Sequence, residues 1–185
     1  MKNMYYFAFL SILCTAQLSA QDYFHEPYVK IGNTVLICEQ SKSFDRYHIR
    51  DASFDTTHYV IKKPENVSIS NIKFKSQKAI HHVFCEVFSF ERLKELSISD
   101  KILDAVFYVN NKGLVFQTYY TIAIDSSLQP SELVKLDVLI KQKIRFTTEE
   151  FEKTGNVKLH FSQLIRYEKI VNGDKIRPLD EWEYP

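Results

Sequence analysis

The stretch from Ile102 to Tyr167 constrains the fold of this sequence more than any other. Ile102-Leu-Asp-Ala-Val-Phe-Tyr-Val109 is rich in apolar, aromatic and β-branched residues, which fit a pleated, half-buried surface. Asn110-Asn-Lys-Gly113 follows as a compact reversal in which Gly113 tolerates the positive φ that the turn needs. Leu114 to Ile124 is the returning strand. Asp125-Ser-Ser-Leu-Gln-Pro130 interrupts it, and Pro130 or Ser131 opens a helix. In that helix Leu133, Leu136, Ile140 and Ile144 recur at helical spacing, widened by Val134, Val138 and Leu139, so one side must cover an apolar surface. An acidic connection from Thr147 to Lys153 and a turn at Thr154-Gly-Asn156 lead to a third strand, Val157 to Tyr167. Val157, Leu159, Phe161, Gln163 and Ile165 share one face of it, and Lys158, His160, Ser162 and Arg166 the other. The expectation is an α+β fold with an antiparallel sheet.

This strand-strand-helix-strand order, with the Asn110 to Gly113 turn, resembles the C-terminal domain of TonB and TonB-like envelope domains. Lys143-Ile-Arg-Phe146 and Gly155-Asn-Val-Lys-Leu-His-Phe161 stand where that family has a basic-aromatic helix end and a glycine before the last strand. The resemblance covers residues 89–170 and implies a β-β-α-β core. It also implies a sheet edge that receives an extended peptide from an outer-membrane receptor. Val157 to Tyr167 is then the edge, with Lys158, His160 and Arg166 as its polar face. The competing expectation is that this strand is simply capped by the N-terminal half or by the tail.

Residues 1–20 begin with one basic residue, run through an apolar core and end in small residues, the layout of a secretory signal peptide cleaved near Ala20. Export to the periplasm or envelope of a Gram-negative bacterium follows as an expectation. The chain has 24 Lys and Arg against 23 Asp and Glu, and loss of Lys2 with the leader balances them. No basic run or interleaved basic-aromatic patch points to nucleic acid. A mature chain of about 164 residues suffices for one core and needs no membrane span. The 14% aromatic content and four glycines favour a dense β-rich fold.

Residues 22–88 read as a β-rich N-terminal region. Tyr28 to Ile31 and Thr34 to Cys38 flank Gly32-Asn33 as a tight hairpin, Ser41 to Asp55 reads as a loop or irregular strand, and His58 to Lys62 and Asn66 to Lys75 read as strands. Ile80 to Phe88 is apolar on both alternating faces and suits either a buried strand or a helix. Ser89 caps a short helix with Phe90, Leu93 and Leu96 inward. Residues 171–185 form a tail whose one tryptophan, Trp182, packs back onto the body or docks elsewhere as an acidic-aromatic peptide.

Candidate chemistry is sparse. Export would let Cys38 and Cys85 form a disulfide, with two buried thiols as the alternative. On a helix His81 and Cys85, or His82 and Glu86, sit four apart and face a common metal ion; on a strand they do not. A cleft near His81, His82 and Cys85 is therefore the alternative reading, for a small enzyme or a ligand- or metal-binding protein of the envelope. The sequence contains no nucleophile elbow or phosphate-cradling glycine loop, and the carboxylate pairs Glu149-Glu150 and Asp180-Glu181 lie in charged surroundings. No catalytic residue, cofactor set or metal set is assigned. The leading expectation is a non-enzymatic protein-interaction module whose partner is an envelope or outer-membrane protein.

Overall fold

The structure, a computed structural model, describes residues 24–54, 73–147 and 158–176. They form an α+β fold in which six antiparallel strands make one sheet. The strands are β1 (Tyr28–Ile31), β2 (Thr34–Gln40), β3 (Arg46–Asp51), β4 (Ile102–Asn110), β5 (Val115–Ala123) and β6 (Lys158–Arg166). The helices are α1 (Gln77–Val87), α2 (Phe90–Ser99), α3 (Pro130–Lys143) and α4 (Tyr167–Asn172). Across the sheet the order is β1-β2-β3-β5-β4-β6, so β3 joins the N-terminal strands to the later hairpin and the sheet runs unbroken through both halves.

Alternation along β4 divides the sheet into two faces. Leu103, Ala105, Phe107 and Val109 are buried, and so are Tyr120 and Ile122 of β5, Tyr47 and Ile49 of β3 and Ile165 of β6. These side chains form one core cluster with Ile80, Val83 and Phe84 of α1, Leu93 and Leu96 of α2, and Leu133, Leu136 and Ile140 of α3. The helices thus cover one face, as the stripe on α3 requires. Phe146 closes the end of this core, its ring 5.4 Å from Phe107 and 4.8 Å from Phe74. Val138 stays 44% exposed, outside the stripe that the sequence suggests.

Local signals set the element boundaries. At the β4–β5 reversal Asn110 Oδ1 accepts from the Lys112 and Leu114 amides at 3.0 and 3.1 Å, and Gly113 takes φ 74°. Ser76 and Ser89 cap α1 and α2, each side-chain oxygen accepting an amide of the first turn. Ile80 to Phe88, compatible with strand or helix from its pattern, lies almost wholly in helix α1. Two further details differ from the pattern. Arg46–Asp51 is a regular strand, paired on both sides. Phe90 is 52% exposed, with Lys94 Nζ 4.5 Å above its ring, so α2 turns Leu93 and Leu96 inward without it.

Polar groups on the helix side find partners. Arg92 of α2 holds Glu132 of α3 by two bonds, Nε to Oε1 at 2.9 Å and Nη2 to Oε2 at 3.0 Å, and Nη2 also donates to the Ser127 carbonyl at 2.6 Å. Asp137 of α3 accepts from Thr118, from Tyr120 Oη at 3.2 Å and from Lys141 at 2.6 Å. Several sequence expectations lie outside the described residues: the leader, the strand at His58 to Lys62, most of the alternation from Asn66, the connection before β6, the pairs Glu149-Glu150 and Asp180-Glu181, and Trp182.

Lys101 joins α2 to β4 at φ 61°, a left-handed conformation that costs a side-chain-bearing residue roughly 1 kcal/mol. Its amide donates to the Leu96 carbonyl at 2.8 Å and its carbonyl accepts from Tyr167, so the backbone is held there. Lys101→Gly should therefore raise stability by about 1 kcal/mol. Chemical denaturation reads the change directly; an unchanged or lower midpoint would contradict the assigned strain.

Candidate functional site

The face turned away from the helices is built by the opposite alternation. The register aligns Leu164, Asp104, Thr121, His48 and Glu39 in one row across five strands. The next row is Ser162, Val106, Tyr119, Arg50 and Ile37. A third pairs Tyr108 with Gln117. The register then shifts, Val109 pairing with Val115, so Phe116 is the extra residue of a bulge. The bulge brings Phe116 beside Tyr108, ring centroids 6.4 Å apart, and Phe54 also packs against Tyr108, at 5.0 Å.

Aromatic and polar side chains organise this face. His48 lies stacked on Tyr119 with centroids 5.6 Å apart, and its Nδ1 is 3.2 Å from Thr121 Oγ1. Arg50 donates to Glu39 Oε1 at 2.9 Å. Burial raises the phenols of Tyr108 and Tyr119 above their usual value. Two acceptors remain unsatisfied: Asp104 Oδ1 and Gln117 Oε1 are shut off from solvent and have no hydrogen-bond partner. An orphaned buried acceptor costs roughly 1–3 kcal/mol. Burial accordingly raises the Asp104 carboxyl above its ordinary 3.8, against the opposing pull of Arg46 and His48. Sequence reasoning named none of these residues as a site. The available signal was a carboxylate in the middle of the apolar run Ile102 to Val109.

The residues picked from sequence lie elsewhere. Lys158, His160 and Arg166 belong to β6, which ends the strand order, and register sets them opposite Asn110, Tyr108 and Ile102 of β4. The Tyr167 amide donates to the Lys101 carbonyl at 3.0 Å, toward β4. Alternation then turns the Ile165 and Gln163 amides toward β4 and those of Leu164 and Ser162 outward. Among the described residues no strand pairs with that outer side.

Around α1, His81 Nε2 lies 2.7 Å from the Asp174 carbonyl oxygen. Glu86 pairs with Lys143, and that hydrogen bond lowers its carboxyl below the ordinary value. Neither is turned toward a shared ion, and the described residues contain no group of three or more His, Cys, Asp or Glu arranged for a metal. The Cys38–Cys85 bridge is not formed. Cys38 is sealed in β2 under the helices, where burial pushes its thiol up to about 11, whereas Cys85 is exposed on α1. No helix among the described residues is long and apolar enough to cross a membrane.

The orphaned carboxylate sets a pH dependence. Below 3.8 Asp104 is protonated in both states; above it the unfolded chain releases the proton while the folded chain retains it, so stability falls as pH rises toward the raised folded value. Asp104→Asn removes this loss. The variant's stability relative to the wild type should increase as pH rises from 3.8 and then level off, measured by denaturant titration across pH. A difference independent of pH would show that the carboxyl is not perturbed.

No family model matches this sequence, and no curated protein matches it. Among solved structures the fold is similar to a DUF5043 family protein from Bacteroides uniformis ATCC 8492, with a TM-score of 0.61 at 13% identity, covering 78% of this chain and 86% of that one. At that identity the likeness is one of fold.

Proposed function

We propose that the chain is an exported, non-enzymatic protein-interaction module of the bacterial envelope that binds an extended peptide along β6. The observation carrying this reading is that β6 is paired with β4 over nine residues and, among the described residues, with nothing on its other side. Long edges of this kind invite strand addition, and proteins that do not use them shorten, bend or cover them. Outward amides at Ser162 and Leu164 supply main-chain donors, and main-chain bonding gives affinity without demanding a particular peptide sequence. The sequence pattern of residues 89–170, which resembles TonB-like domains, supports the same edge, and supports a periplasmic segment of an outer-membrane protein as the peptide. A leader at residues 1–20 fits that compartment. The alternative cleft at His81, His82 and Cys85 gains nothing from the engagement of His81 with Asp174.

Photo-crosslinking in whole cells from positions 158, 160 and 166 tests this. The expected adducts are with an extended segment of one envelope protein. Ser162→Pro deletes an outward donor and leaves the ladder to β4 intact, so it should abolish those adducts with an unchanged thermal midpoint. Gln163→Pro breaks an inward bond and should lower the midpoint. A folded, exported protein that yields no adducts, or adducts indifferent to Ser162→Pro, would overturn the assignment.

A further inference from the structure

At the end of the sheet where β4 turns into β5, three segments far apart in sequence form a small antiparallel ladder. Phe74 bridges Phe146, and Leu114 bridges Arg145. The Lys75 amide donates to the Arg145 carbonyl at 2.8 Å, the Thr147 amide to the Lys73 carbonyl at 2.9 Å and the Phe146 amide to the Gly113 carbonyl at 3.0 Å. These bonds set Lys75, Arg145 and Leu114 in one row and Lys73, Thr147 and Lys112 in the next. Phe74 and Phe146 are buried against Phe107, so alternation turns both rows away from the core.

In a chain whose basic and acidic residues nearly balance, 24 against 23, this face gathers cations and no acid. Lys73, Lys75 and Lys112 are exposed, so their charge is open to solvent. Arg145 has a structural role: its Nη1 donates to the Ile144 carbonyl at 2.7 Å, at the end of α3 that favours a cation. Among the described residues no carboxylate pairs with Lys75 or Lys112. Lys75 nevertheless stands directly opposite Arg145, and like charges so placed repel. Beyond Lys75, Ser76 caps α1, whose first turn holds no acid and whose amide end adds positive potential.

These features narrow the partner. Lysines supply point charges, whereas reading a single phosphate or carboxylate favours the planar fork of arginine. The two rings of the ladder are buried and offer no platform for stacking a base. An open ladder face of lysines matches an extended anionic surface instead. We propose that this end of the protein docks peripherally on a bilayer surface rich in anionic lipid headgroups, through Lys73, Lys75 and Lys112.

Vesicle flotation with the protein purified from the cells that make it tests this. The readout is the excess captured by vesicles of equal parts phosphatidylglycerol and phosphatidylcholine over vesicles of phosphatidylcholine alone. That excess should be present at low salt and vanish in molar salt, where screening acts within about 3 Å. Lys75→Gln and Lys112→Gln should each lower the partitioning about fivefold, the share of one lysine near such a surface, while Lys75→Arg should keep it. Lys42→Glu, in the β2–β3 reversal at the opposite end of the sheet, should leave it unchanged. So should Ser162→Pro, which separates this contact from the β6 edge. The proposal is overturned if folded protein shows no excess on anionic vesicles, or if Lys42→Glu weakens capture as much as the ladder substitutions do. It is equally overturned if inorganic phosphate displaces the protein at matched ionic strength, which would mark a site for a free anion, or if polyglutamate or duplex DNA is bound and the vesicles are not.

Discussion

The two-sided pairing of β4 is the constraint on which the rest of the structure depends. Its nine residues bond to β5 on one side and to β6 on the other, so its backbone is committed and its side chains must divide between two faces. Leu103, Phe107 and Val109 go beneath the helices and are essentially inaccessible; burying each contributes roughly 1.5–3 kcal/mol. A slip of one residue would send Asp104, Val106 and Tyr108 into the core and expose the apolar set. The register is therefore fixed by hydrophobic burial, and the composition of the second face follows from the same register.

The two faces treat polar groups differently. On the helix side, Asp137 gathers donors from Thr118, Tyr120 and Lys141, and at the end of α2 Asp100 accepts from Ser126 and Ser127. Among the described residues the other buried polar side chains are paired, as stability demands. On the second face, at Asp104 and Gln117, the fold tolerates acceptors without donors. The cost is thus accepted in one place, by a fold that satisfies comparable groups a few ångströms of sheet away.

Much of the fold was legible because burial imposes periodicity. The β4–β5 hairpin, α3 and β6 each carry a clean period and clear punctuation at Gly113 and Pro130. Helix α1 was ambiguous because Ile80 to Phe88 carries apolar residues on both alternating faces, and Ser76 with Ile80, Val83 and Phe84 inward decides it. Strand β3 escaped because Tyr47 and Ile49 are its only buried side chains and its partners lie far along the chain. The second-face cluster was illegible for a related reason. His48 meets Thr121 across 73 positions of sequence, and whether Asp104 has a partner depends on what three strands bring beside it.

Strand β6 belongs both to the edge of the sheet and to the face turned away from the helices. Its outward amides belong to the edge, whereas Leu164 and Ser162 stand in the rows of Asp104 and Val106 on the second face. A peptide added to β6 would lengthen those rows by one strand and leave the Asp104–Thr121 and Val106–Tyr119 pairs untouched, because pairing is perpendicular to the strand and the side chains project from the plane. Backbone recognition at the edge and the side-chain rows of the second face thus use orthogonal directions of one sheet.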